Sequence, residues 1–199
     1  MRTRDAEKLK LVKEKAVELC AAHGLEGFSV NKLARACNIS VATLYIYYKD
    51  KDDLILQIAA EEGQKMTDTL MKGFDPALPF AEGLRIQWRN RYNYMTKNPK
   101  MGMFFDQLRS SSYHKHIRGS FFEHFKTTLS KFMNNAIDRG EIDRMPVEVY
   151  WSIAFGPLYT LIRFHHQGYA LSGKPFKITN KMLWQLFDLV IKSLLKQKK

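Results

Sequence analysis

Three phenols stand within four residues at Tyr45, Tyr47 and Tyr48, beside Lys49 and Lys51 and just after the small polar residues Ser40 and Thr43. Hydroxyl and ammonium groups at that density donate hydrogen bonds and attract anions. They do not make a nucleophile with its base, and no glycine-rich phosphate loop or metal set elsewhere in the chain completes one. The histidines are the other groups with chemical potential. His114 and His116, and the pair His165 and His166, have no carboxylate or cysteine placed at metal-ligand spacing. An enzyme would have to combine His165 and His166 with a carboxylate such as Glu123, and it would still lack a nucleophile. No catalytic residue, metal or cofactor is therefore expected. Cys20 and Cys37 fall at apolar positions of helical patterns and read as buried free thiols.

Charge points the same way as the phenols and lysines. The 199 residues hold 32 Lys and Arg against 20 Asp and Glu, a formal net charge of +12. Such a surplus asks for an anionic partner, most often nucleic acid. Its location qualifies the argument: residues 1–62 are balanced at 10 against 10, whereas residues 63–199 carry 22 against 10. Within residues 1–51 the balance is 10 to 6, so an edge there can still be positive. No stretch approaches the roughly 18 apolar residues of a membrane span. The opening MRTRDAEKLK has no apolar segment behind its basic start, so a cytoplasmic protein without membrane contact is expected.

The elements that must carry these residues are helices. Apolar residues recur at three- and four-residue spacing and nowhere alternate, which makes the chain all-α with about nine helices. The first is expected over Arg4 to His23, ended by Gly24. Ser29 caps a two-turn helix bearing Val30, Leu33, Ala34 and Cys37, and Ser40 caps another over Val41 to Tyr48 that buries Leu44 and Tyr48. Asp50 caps a fourth, with Asp52 and Asp53 in its first turn and Leu54, Ile55, Ile58, Met66 and Leu70 along one stripe. After a break at Phe74 to Pro79, helices are expected over Pro79 to Lys97, Lys100 to Arg109, His114 to Arg139, Pro146 to Gln167 and Thr179 to Gln197.

Two short capped helices joined at Asn38, which tolerates a left-handed backbone, form a helix-turn-helix signature. The stretch FSVNKLARACNISVATLYIYYKDKDDL resembles the amino-terminal DNA-binding domain of TetR-family transcriptional regulators. Phe28, Ser29, Leu33, Ala34, Ile39, Ser40, Thr43, Leu44, Tyr45, Tyr47, Tyr48, Lys51 and Leu54 fit the family pattern; Asn38 and Ala42 stand where it usually has small residues. The resemblance implies a helix-turn-helix DNA-binding domain over residues 1–50 and a helical ligand-sensing and dimerisation domain over residues 51–199. It further implies that Val41 to Tyr47 reads the major groove, with Thr43 on a base or phosphate, Tyr45 and Tyr47 on backbone and groove edge, and Lys51 on phosphate. Asn31 and Lys32 can reach phosphate, and Asn31 an adenine edge. Val41, Ala42 and Ile46 are apolar in the reading helix. Ile46 and Ala42 are expected on thymine methyls; the alternative for Ile46 is packing against its own domain.

Beyond residue 79 the faces are broad and aromatic. Phe80, Leu84, Trp88, Tyr92 and Met95 align on one helix, and Ile117, Phe121, Phe125, Leu129 and Phe132 on another, with Met101, Met103, Phe104, Phe105 and Leu108 between. Such stripes make plain core or the wall of a pocket. In a sensor of the kind the resemblance implies, Trp88, Tyr92, Phe104 and Phe125 are the candidate lining of an apolar site for a small-molecule effector. An anionic effector would look to Arg85, Arg89, Arg91 or Arg109, although Arg89 and Arg91 are expected to face solvent. The segments near 146–167 and 179–197 carry more apolar surface than one subunit covers, which suits a homodimer through a four-helix bundle. A repressor that releases a double-stranded DNA operator on effector binding is the resulting expectation. Its alternative is a ligand-independent regulator or nucleoid-type binder with a solid core.

Overall fold

In the computed structural model the described residues are 2–117 and 122–197, the side chains of residues 2–4, 117, 122 and 124 excepted. Among them run eleven helices: α1 (Arg2–Gly27), α2 (Val30–Ala36), α3 (Val41–Tyr45), α4 (Lys51–Met71), α5 (Phe80–Lys97), α6 (Pro99–Arg109), α7 (His114–Ile117), α8 (Phe122–Asp138), α9 (Val147–Ala154), α10 (Gly156–Gln167) and α11 (Asn180–Leu194). No strand occurs among the described residues, only isolated bridges such as that between Ile142 and Leu195. The all-α expectation holds, with more helices than expected for two reasons. His114 to Arg139 is described as α7 and α8, and Phe121, expected on its apolar face, lies outside the described residues together with the side chain of Ile117. Pro146 to Gln167 is two helices, not one. Phe155 leaves helical geometry at φ −126°, and Pro157 in the first turn of α10 has no N–H to continue the α9 ladder.

The chain forms two compact units: residues 1–66 with 98–123, and residues 67–97 with 124–199. In the first, Val12, Ala16 and Cys20 of α1 are buried with Leu33 and Ala34 of α2, Leu44 of α3 and Leu54, Ile55 and Ile58 of α4, while α6 buries Phe104, Phe105 and Leu108. Local chemistry sets the ends of its helices. Gly24 turns the end of α1 at φ 71°, ψ 171°. Ser29 accepts the Lys32 N–H, Ser40 that of Thr43 at 3.1 Å, and Asp50 that of Asp53 at 2.8 Å. The Asp53 carboxylate returns the favour to the Lys49 N–H at 2.8 Å, so both ends of the α4 entry are fastened. Asn38 adopts φ 52°, the left-handed turn expected between α2 and α3.

In the second unit α5 supplies Phe80, Leu84 and Trp88 to a core shared with Phe132 and Met133 of α8, Tyr150 and Ala154 of α9, Leu158 of α10 and Leu183, Phe187 and Val190 of α11. Where α9 stops, the Ala154 carbonyl takes the Trp88 indole N–H at 2.7 Å. The end of α4 is held by amides of α5: Gln87 Nε2 donates to the Leu70 carbonyl at 3.2 Å, and Asn90 Nδ2 to those of Leu70 at 2.9 Å and Lys72 at 2.8 Å. These satisfy carbonyls that a helix C-terminus otherwise leaves bare.

Candidate functional site

Helix α3 is a single turn and a half with one buried residue, Leu44. Tyr48, just beyond it, is buried as its spacing from Leu44 requires, and burial raises its hydroxyl pKa. The other side chains of the segment turn outward. Tyr45 is 51% and Ile46 75% exposed, Ala42 is exposed, and Val41, Thr43 and Tyr47 are half-buried. Ile46 therefore does not pack into its own domain. Asn31 and Lys32 at the start of α2 are exposed as well. Thr43 is partly committed: its hydroxyl lies 2.8 Å from that of Ser40, so the cap orients it.

The two lysines expected on phosphate are each anchored on a backbone carbonyl at the end of α1. Lys32 Nζ donates to the Gly27 carbonyl at 2.8 Å and Lys51 Nζ to the Leu25 carbonyl at 3.1 Å, with the Lys51 ammonium 5.8 Å from the Phe28 ring centroid. An ammonium has three donors, so each keeps two for an anion while its position is fixed. Tyr113 adds a link that sequence reasoning missed, because it joins residues 61 apart: its hydroxyl donates to the Asp52 carboxylate in the first turn of α4. Lys100 of α6 likewise reaches Glu18 of α1 at 2.8 Å, and that contact with the one to Lys15 holds the Glu18 carboxyl down at about 2. Cys20 is buried in this unit, and burial lifts its thiol to about 12.

The four side chains expected to line an effector site do not form one group. Trp88 is fully buried with its N–H spent on Ala154, Tyr92 is half-buried against the core, and Phe104 belongs to the other compact unit, where its ring meets Phe105 at 5.5 Å. Phe125 alone borders an unusual polar group. That group is Arg91, which the sequence reading sent to solvent and which is 0% exposed. The correction is geometric: α5 buries Phe80, Gly83, Leu84, Gln87, Trp88 and Arg91, a three-and-four stripe that includes position 91 whatever residue occupies it.

The Arg91 guanidinium carbon lies 4.1 Å from the Phe155 ring centroid, 5.5 Å from that of Phe125 and 5.7 Å from that of Trp151. Its Nη1 donates to the Gln87 side-chain oxygen. Among the described residues Nε and Nη2 have no hydrogen-bond partner, and neither has the buried hydroxyl of Tyr150. The remaining arginines differ: Arg85 stacks 4.2 Å over Trp184, Arg109 pairs with Asp106, and Arg89 is exposed. His165 and His166 point to separate backbone partners, the Ile178 N–H at 3.4 Å and the Met95 backbone.

Residues 14–58 match the family model for bacterial regulatory proteins of the tetR family. An uncharacterised helix-turn-helix transcriptional regulator of Haemophilus influenzae is 38% identical over 81 residues, 41% of this chain and 43% of that protein. The chain thus matches less than half the length of that relative. A TetR-family transcription regulator of Marinobacter aquaeolei is similar over 99% of this chain and 100% of its own, at 26% identity and a TM-score of 0.86. The regulator FadR of Bacillus subtilis, solved in complex with stearoyl-CoA, shares the fold over 93% of this chain and 98% of its own, at 18% identity and a TM-score of 0.70.

Proposed function

From its place in the TetR family of bacterial regulatory proteins, to which this chain belongs, we propose that the protein binds an operator in double-stranded DNA as a homodimer and regulates transcription, as a repressor released by a small-molecule effector. Residues 1–50 are assigned to DNA and residues 51–199 to sensing and dimerisation. The observation that carries the DNA reading is the outward set on α3: Tyr45 and Ile46 are exposed while Leu44 and Tyr48 anchor the same turn in the core. A large apolar residue and a phenol presented together to solvent, beside anchored Lys32 and Lys51, suit a groove floor and its phosphate walls.

Dimerisation is supported by α11. Leu183, Phe187, Val190 and Leu194 fill the core, which leaves Met182 and Leu189 exposed, with the half-buried Leu186 between them, as a second apolar stripe on the outer side. Val147, Val149 and Trp151 of α9 are exposed too. A second subunit on these helices would set two reading helices about 34 Å apart, one turn of DNA. An effector that displaces α4 would change that spacing and release DNA, by as much as its affinity differs between the two states. That FadR of Bacillus subtilis binds stearoyl-CoA supports an amphipathic effector for a protein of this fold.

Selection from random duplex DNA, run with and without metabolites from cell extract, tests the reading. A palindromic site enriched without metabolites and lost with them is the expected outcome. Enrichment of no sequence would remove the operator, and a site indifferent to every metabolite would favour the ligand-independent regulator.

A further inference from the structure

We propose that Arg91 and Tyr150 form the anion-binding end of the effector site and that the effector carries a carboxylate on an apolar or aromatic body. This rests on the effector reading above and adds the chemical class.

A guanidinium cannot escape burial by losing its proton, so a buried one needs a counter-charge or a full set of acceptors. Arg91 has neither. No carboxylate among the described residues pairs with it, and its one side-chain acceptor, the Gln87 amide oxygen, takes only Nη1. The unpartnered atoms are Nε and Nη2, which is the side of the guanidinium where two N–H bonds run parallel. Two parallel donors match the two oxygens of one carboxylate. The Tyr150 hydroxyl is the third orphan donor of this region, and its ring and the Arg91 guanidinium both contact Phe155. Burial pushes the pKa of that hydroxyl up, and the Arg91 charge offsets part of the rise.

The surroundings limit the anion to one charge and specify its body. One guanidinium balances one negative charge, and a second charge placed among Phe125, Trp151 and Phe155 would stand unpaired in a medium of low dielectric. The aromatic faces themselves accept flat or aliphatic surface. Trp151 borders the guanidinium and is 38% exposed, so it is the wall residue that also meets solvent. On the far side Gln87 joins Arg91 to the Leu70 carbonyl in the last turn of α4. Arg91 itself thus sits two hydrogen bonds from the helix whose displacement would release DNA.

The experiment is thermal unfolding of the full chain with decanoate and 4-phenylbutyrate, each against its matched alcohol, and with decanoyl-CoA. At about a hundredfold excess over Kd a bound acid should raise Tm by roughly 5 °C or more, and the alcohol by less. Arg91→Met should remove the advantage of acid over alcohol without lowering the Tm of the unliganded protein, since it deletes an uncompensated buried charge. Tyr150→Phe should weaken the acid about tenfold, which tests the site by a second route that leaves the Arg91 charge in place. Equal shifts from acid and alcohol, or a shift from the CoA ester alone, would overturn the carboxylate assignment and leave an effector in place. No shift from any probe, or a lower Tm for unliganded Arg91→Met, would make Arg91 a structural residue. Whether extract metabolites release DNA then judges the effector reading independently.

Discussion

Ile46 is the residue whose exposure and chemistry disagree most. At 75% exposed it contributes little to the core, so replacing it should leave stability within about 0.5 kcal/mol of the parent. If it meets a thymine methyl, Ile46→Ala should cost about 1 kcal/mol of affinity on the selected operator and less on a variant with that thymine changed. Titration of both duplexes by fluorescence anisotropy checks the difference; equal losses on the two would mean that Ile46 reads nothing. The outward Ile46 was legible in the sequence because its neighbours Leu44 and Tyr48 claim the inward positions four residues apart. Arg91 was not. Its angle beside the Trp88 to Tyr92 face suggested solvent, whereas the buried stripe is wider than that face and its register, four residues after Gln87 and seven after Leu84, put it inside.

Helix ends and contacts decide the next scale. Asn38, Ser29, Ser40 and Asp50 declared the turns of the helix-turn-helix in advance, since each has one local backbone task and performs it. The division of α9 from α10 was harder to see, because an apolar run with Pro157 inside it also suits a kinked single helix. Gly83 of α5 lacks any local turn to explain it. A Cβ there would stand 2.4 Å from Cε2 of Phe132, whose ring stacks on Phe80, so the glycine lets α5 and α8 meet. Gly83→Ala should lower stability by about 1–3 kcal/mol in urea unfolding, through displaced packing and not through helix propensity, which alanine improves. The α5–α10 contact has a titrating member. Burial, then the adjacent His165, lowers the His166 pKa below its ordinary 6.5, so the folded state disfavours its protonation. The sign follows: this contribution is complete above pH 6.5 and is lost as pH falls through the window beneath it. Glu18 and Glu61, whose lowered values start from 4.5, act only in more acid solution. His166→Gln should therefore flatten the fall of stability between pH 7 and pH 5; an unchanged slope would place its origin elsewhere.

At the scale of the whole molecule the question is how a chain of net charge +12, with a balanced first 62 residues, holds DNA. Lys32 and Lys51 are the anchored cations beside the reading helix, so each subunit offers a small number of phosphate contacts and two subunits are needed to make binding tight. That couples affinity to the dimer. Counterion release gives a slope of log K against log salt near −0.9 per phosphate neutralised, additive over the two half-sites. Leu189, 61% exposed on the outer stripe of α11, is remote in sequence from every DNA candidate, and a charge there would oppose an apolar interface between subunits. Leu189→Glu should give a monomer by sedimentation whose salt slope is about half that of the parent and whose affinity for a full palindrome falls accordingly. A monomer that kept the parent slope would mean that one subunit makes all the phosphate contacts. A variant that stayed dimeric would move the interface away from α11 and leave its apolar stripe to another partner.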